Sequence, residues 1–345
     1  MAGRPQGPRQ ASHYDRPKTD SGLLGEIANS FNDRRLQLFV LPTEKCNFRC
    51  TYCYEKFDIG RMKPSIVEAV KVFIDRRIEH LDVLSVEWFG GEPLAAKPVV
   101  VDISQHIHSS LASARSVMYS GSMTTNGYML DRDTATTLVR IGVSSFQISL
   151  DGPPEVHDES RVRADGSGTF SQIWHNLLTL RDSDLSFEVM LRLHFTPATA
   201  AHLYSLIDLI NDAFADDSRF KVTFKSVNRL GGENDHKLEL FNPQAKREMI
   251  ASFQRRLRQK SQVITHGRPE SQICYAAKPN SFVIRADGRI GKCTVALYDD
   301  RNTVGSIAED GRILIDNDKL RPWMGGFESL SVEELGCPLA HFAAN

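Results

Sequence analysis

Apolar runs of strand length recur along this chain, and the segments between them carry helical spacing. LQLFVL (residues 36–41) is the first run and ends at Pro42. SIVEAVKVFIDRRIEHL (65–81) then sets Ile66, Val70, Phe73, Ile74 and Leu81 on one helical stripe, with Ser65 as N-cap behind Pro64. LSVEWF (84–89) reads as a strand, PVVVDISQHIHSSL (98–111) as a helix, SVMYSGSMT (116–124) as a strand and DRDTATTLVRIG (131–142) as a helix. SSFQISL (144–150), FEVMLRLHF (187–195) and KVTFKSV (221–227) are further strands, separated by the helices FSQIWHNLLTLRD (170–182) and AAHLYSLIDLINDAF (200–214). A helical crossover is the usual link between parallel neighbours, so six strands alternating with helices predict parallel βα units closing into a full or partial β/α barrel.

In such barrels chemistry collects on the loops after the strands' C-terminal ends. The unusual residues fall there. Cys46, Cys50 and Cys53 follow the first strand, GGEP (Gly90 to Pro93) the second and TTNG (Thr124 to Gly127) the third, while SLDG (Ser149 to Gly152) closes the fourth. Cys-x3-Cys-x2-Cys has no histidine or fourth cysteine nearby, which disfavours a closed structural zinc site. Three thiolates suit a four-iron cluster with one iron left open. Singly, the other residues have plainer readings: Gly90 and Gly91 as a tight turn, Arg161 or Arg163 as a solvated charge, Asp151 as a cap. Trp88 and Trp174 read as core.

Composition narrows the classes. The 345 residues are 41% hydrophobic and 25% charged, enough for one large domain and a smaller one, and the net charge of −1 lacks the basic field of a general nucleic-acid binder. No apolar run approaches the roughly 20 residues of a membrane span, and the N-terminus lacks a signal-peptide core. The chain is therefore expected in the cytosol, with neither membrane nor nucleic acid as partner, and clustered cysteines in that reducing compartment point to metal or catalysis. Residues 1–22, rich in Pro, Gly, Gln and Arg, read as a disordered tail.

CNFRCTYC with an aromatic before its last cysteine, followed by GGEP, resembles the radical S-adenosylmethionine (SAM) superfamily. The resemblance implies a partial (β/α)6 TIM-like barrel over residues 23–235. It also implies a [4Fe-4S] cluster on Cys46, Cys50 and Cys53 whose open iron chelates SAM, and reductive cleavage of SAM to a 5′-deoxyadenosyl radical. By the same resemblance Tyr52 lies near the adenine and the backbone of Gly90, Gly91 and Glu92 holds the SAM ammonium. Asn126, Ser149 and Arg161 match positions that contact ribose or carboxylate.

After a helical linker at 236–270, CYAAKPNSFVIRADGRIGKC contains a predicted hairpin turning at Asp287-Gly288. Residues 271–345 resemble the SPASM and twitch extensions, small C-terminal regions that hold auxiliary iron-sulfur clusters. The match departs from a full SPASM domain, which has seven cysteines; here Glu334 and Ala343 stand where that spacing wants thiolates. Cys274, Cys293 and Cys337 are expected to hold one auxiliary cluster, with an open iron or His341 as fourth ligand, the alternative being a cluster-free hairpin. The resemblance implies an oxidoreductase that crosslinks or oxidises a ribosomally made precursor peptide. A flavodoxin or ferredoxin would supply electrons, and a separate protein or the barrel's own surface would bind any leader. Two alternatives stay open: a dehydrogenase or epimerase of a sugar or aminoglycoside, and a catalytically silent scaffold. Glu188, Arg192, His194 and Lys225 are substrate-facing candidates, and His194 reads equally as a satisfied barrel histidine. No catalytic acid or base is identified.

Overall fold

All six predicted strands form and lie side by side in chain order. The computed structural model describes residues 21–113, 117–258 and 273–342. Its strands are β1 (Arg35–Val40), β2 (Phe48–Cys50), β3 (Val83–Trp88), β4 (Met118–Thr125), β5 (Val143–Leu150), β6 (Arg161–Arg163), β7 (Glu188–Phe195), β8 (Phe220–Ser226), β9 (Ser281–Ile284), β10 (Arg289–Gly291), β11 (Gly305–Ile307) and β12 (Ile313–Ile315). Strands β1, β3, β4, β5, β7 and β8 pair in that order, every pair parallel. Each helical crossover returns the chain beside the strand it left, the arrangement of a partial β/α barrel.

The alternation within each strand decides what reaches the site. On β7 the buried Val189, Leu191, Leu193 and Phe195 alternate with Met190, Arg192 and His194. The buried set belongs to one core cluster with the stripes of the helices, including Val70, Phe73 and Ile74 of Pro64–Ile78 and Leu203, Ile207 and Ile210 of Leu203–Phe214. The other set therefore faces the barrel's inside. Trp88 is fully buried; Trp174 is half-buried and stacks on Phe170.

Several expectations shift. The first long helix is capped by Lys63, not Ser65, because Pro64 occupies the first helical turn, where its missing N–H is no loss. Residues 1–20 of the expected tail lie outside the described residues, but Ser21–Ser30 is helical. The expected linker contains the helix Pro243–Arg256, and its residues 259–270 lie outside the described residues, as does Ala343. The hairpin at Asp287-Gly288 forms, with Gly288 at φ +87°. Strand β9 also pairs in parallel with β1, so β9 to β12 continue the barrel sheet. Among the described residues no helix is long and apolar enough to cross a membrane.

Candidate active site

The loop after β1 carries the three clustered cysteines, and its neighbours hold its shape. Cys50 ends β2, whose antiparallel partner β6 sets Arg161 directly opposite it. Thr51 N–H donates to the Ser160 carbonyl at 2.9 Å, and Arg49 reaches back to the carbonyls of Cys46 and Phe48. The GGEP turn closes on the same loop. A Cβ on Gly91 would lie 2.6 Å from the Lys45 carbonyl oxygen, and Gly90 combines φ +108° with close approach to the Thr43 carbonyl, so both positions require glycine.

Glu92 is fully buried and spent on structure. Its carboxylate accepts from Leu94 N–H (3.0 Å), Thr125 Oγ1 (2.8 Å) and Asn126 N–H (2.7 Å), while its own N–H donates to the Lys45 carbonyl at 3.0 Å. This carboxylate locks the second and third loops against the first.

One cavity collects most of the expected residues. Cys46, Cys50, Cys53, Tyr52, Gly90, Gly91, Asn126, Ser149 and Arg161 all line it, with Arg192, His194 and Lys225 further along; Glu92 stands behind its wall. Glu188 does not line it, because it begins β7 and is exposed at the strand's opposite end. A second cavity, lined by Asn29, Gln37 and Lys278 among others, opens at the N-terminal ends of the strands and contains no cysteine.

Arg161 is 6% exposed and no solvated charge. Its Nη1 donates to the Tyr52 hydroxyl at 2.8 Å, and that hydroxyl lies 3.0 Å from both Asp151 Oδ1 and His194 Nδ1. Ser160 Oγ donates to the other Asp151 oxygen at 2.7 Å. Against the cost of burial, His194 and Arg161 hold the Asp151 carboxyl below the usual carboxylate range. Burial lowers His194 to about 4, and the Arg192 charge adds to the effect, so its ring is neutral at pH 7. This network, centred on the Tyr52 hydroxyl, joins residues 99 and 142 positions apart and left no local signal in the sequence.

The donors present fit a four-iron cluster. Burial pushes all three thiols up, Cys53 to about 12, while the Arg161 charge pulls Cys50 back; thiols so placed ionise only when metal displaces their protons. No three His, Cys, Asp or Glu side chains among the described residues could share one metal ion. A cube offers each thiolate a different iron and does not ask them to. Buried Arg161 Nε, Arg192 Nε and Glu55 Oε2 have no hydrogen-bond partner, and their residues all line this cavity, so it has both donors and an acceptor for a zwitterionic ligand.

Two contacts draw the C-terminal cysteines towards one another. Cys274 N–H donates at 2.8 Å to the carbonyl of Leu335, two residues before Cys337, and Tyr275, next to Cys274, reaches Cys293 Sγ at 4.0 Å. Cys293 is buried and Cys337 exposed; His341 ends the short helix that follows. Lys292, fully buried, caps the Lys278 and Ser281 carbonyls at 2.6 Å each. A direct route joins the two cysteine groups: Tyr54, next to Cys53, donates to the Thr294 carbonyl (3.1 Å), and Tyr275 OH lies 2.7 Å from Thr294 Oγ1 and 4.0 Å from Cys293 Sγ. Beneath them Arg285 and Glu44 form a buried two-bonded ion pair at 2.9 and 2.6 Å.

Residues 40–210 match the family model of the Radical SAM superfamily. The chain belongs to the radical SAM superfamily. That membership implies a [4Fe-4S] cluster and SAM. Over 168 residues the chain is 26% identical to a cysteine-type anaerobic sulfatase-maturating enzyme of Clostridium novyi, covering 46% of this chain and 43% of that protein. Over 117 residues it is 35% identical to a GTP 3′,8-cyclase of Streptomyces coelicolor, covering 33% and 32%. The chain thus spans less than half the length of these curated relatives. Among solved structures its fold is similar to anSMEcpe with bound AdoMet, at TM-score 0.65 and 19% identity with 84% of each chain covered. It is also similar to Streptococcus suis SuiB bound to precursor peptide SuiA, at TM-score 0.58 and 15% identity over 89% of this chain and 70% of that one. These likenesses are of fold, and the fold they share is the partial β/α barrel described above.

Proposed function

We propose that this chain uses SAM radical chemistry to oxidise or crosslink a peptide substrate. One observation carries the reading: a cysteine triplet and two arginines whose buried Nε atoms have no partner share one cavity at the C-terminal ends of parallel strands, and hydrogen bonds connect that cavity to a second cysteine group. In this reading Cys46, Cys50 and Cys53 hold the cluster. When bound, the cluster supplies the electron that cleaves SAM to a 5′-deoxyadenosyl radical, which takes a hydrogen atom from substrate. The chain's own contribution is positioning. Gly90 and Gly91 let backbone close on the SAM methionine end, Arg161 meets its carboxylate, and Asn126 and Ser149 take the ribose side. The Asp151–His194 network fixes Tyr52 beside the adenine. Cys274, Cys293 and Cys337 hold one auxiliary cluster, with His341 or an open site completing it.

A peptide substrate is supported by the sulfatase-maturating relative and by the peptide bound in the SuiB structure. On this reading a precursor peptide and a flavodoxin- or ferredoxin-type electron donor are the partners, and any leader is bound by a separate protein or by the barrel's own surface. The identity to a GTP 3′,8-cyclase favours a second reading, action on a small molecule.

The test is iron and sulfide content beside 5′-deoxyadenosine formation in anaerobically reconstituted protein with a strong reductant. About eight irons are expected in wild type, and about four in either the Cys46/Cys50/Cys53 or the Cys274/Cys293/Cys337 triple alanine variant. Cleavage of SAM is expected to vanish in the first variant. About four irons in wild type, all lost in the first variant, would overturn the auxiliary cluster, and no cleavage by wild type would overturn the radical reading.

A further inference from the structure

Beyond the cysteines, the cavity carries two cations that no ion pair among the described residues neutralises. Arg192 on β7 and Lys225 on β8 both line it, and Lys225 is the register partner of His194, so the two cations sit on neighbouring strands of the inward face. Arg192 Nε is buried with no hydrogen-bond partner. Among the described residues, neither side chain makes an ion pair. After burial, the charges acting on Lys225 are those of Arg192 and, from the helix Pro243–Arg256, Lys246; all three lower it.

The buried acid of this wall, Asp151, is already engaged. Asp151 accepts from Tyr52 and Ser160 and lies 4.0 Å from Arg161 and 3.7 Å from His194. Glu55 also lines the cavity, but among the described residues it forms no ion pair with Arg192 or Lys225, and its Oε2 has no hydrogen-bond partner. His194 is neutral at pH 7. A structural arginine half-buried in a barrel normally finds a carboxylate or carbonyl, because unpaired burial of charge is costly. Two adjacent unpaired cations facing an open cavity have a different use: the field of the pair attracts an anion, and the guanidinium fork matches a carboxylate or a phosphate in two bonds.

We propose that Arg192 and Lys225 form an anion-binding subsite for an acidic group, carboxylate or phosphate, of the substrate. The assignment rests on the reading of this cavity as the substrate site. It adds a requirement that reading lacks: the reacting molecule carries negative charge near the reacting carbon, an acidic side chain or C-terminus in a peptide, a phosphate in a nucleotide.

The test uses the anaerobically reconstituted full chain and calorimetric titration with four probes: N-acetyl-L-glutamate N-methylamide, its uncharged glutamine counterpart, inorganic phosphate and GTP, each with and without SAM. Binding of the glutamate probe or of the phosphate probes, no binding of the glutamine probe, and weakening by about tenfold to a hundredfold in Arg192→Gln and in Lys225→Gln are expected. Arg192→Lys should recover part of the loss. The glutamate arm binding more tightly identifies a peptide carboxylate, and the GTP arm binding more tightly a phosphate. Equal binding of the glutamine probe, unchanged affinity in both variants, or no anion binding by wild type would overturn the subsite. So would full displacement of the anion by SAM, which would give the cations to the SAM carboxylate. Wild-type 5′-deoxyadenosine formation is measured in the same samples. Its absence would refute the radical reading alone, since anion binding is read without turnover.

Discussion

Glu44→Gln removes one charge from the ion pair that fastens the cysteine loop to the C-terminal hairpin. Glu44 is fully buried and the Arg285 side chain is 3% exposed, so Arg285 has no water to turn to. Arg285 donates twice to Glu44 and once to the Leu297 carbonyl at 2.5 Å; the variant keeps the Leu297 bond and one amide-oxygen acceptor, but sets an NH2 donor against the guanidinium and leaves its charge uncompensated. Breaking a buried pair from one side costs about 3–5 kcal/mol. That is a large share of the roughly 5–15 kcal/mol by which domains are stable. Replacing both partners with apolar side chains, Glu44→Leu with Arg285→Met, should cost less than either single change, because no charge is stranded. The assay is urea unfolding followed by circular dichroism, run beside iron content, which should fall in Glu44→Gln because Cys46 lies two residues on. A loss below about 1 kcal/mol, or additive losses in the double variant, would refute the argument.

Gly91→Ala should reduce iron incorporation and SAM cleavage together, because its Cβ would press on the Lys45 carbonyl at 2.6 Å; normal iron content would show that the turn can shift. Tyr54→Phe should lower stability by about 1–3 kcal/mol in urea unfolding by orphaning the Thr294 carbonyl, and an unchanged midpoint would remove the hydrogen-bond route from the packing of the two cysteine groups. The buried histidines should add a contribution to stability that rises with pH between about 4 and 6.5, opposed by Glu55, which burial raises to about 8. Burial lowers both His157 and His194 to about 4, and unfolding returns them to about 6.5, so in this window each binds more proton in the unfolded chain. Each histidine contributes on the order of 3 kcal/mol across the window. His157→Gln should make the slope of unfolding free energy against pH less positive than in wild type, and an unchanged slope would exclude His157 as a source.

The two levels divided the work along physical lines. The strands, the helices between them and the cysteine triplet are local patterns of one to two dozen residues, so periodicity and spacing expose them without any tertiary context. Short elements escaped: β2 and β6 are three residues each, too brief to show alternation, yet their pairing brings Arg161 opposite Cys50. Glu188 looked equivalent to Arg192 and His194 because alternation tells which face a residue takes but not which end of the strand becomes the site. Long-range charge matching was invisible in the same way. Glu44 and Arg285 stand 241 positions apart, and only the addition of β9 beside β1 brings them together. By itself the sequence determined a parallel βα fold and a closely spaced cysteine triplet, since both are written in neighbours along the chain. Which carboxylates are spent, which cations stay unpaired and how the two cysteine groups meet were decided by packing, because burial and pairing belong to residues that only the folded sheet makes neighbours.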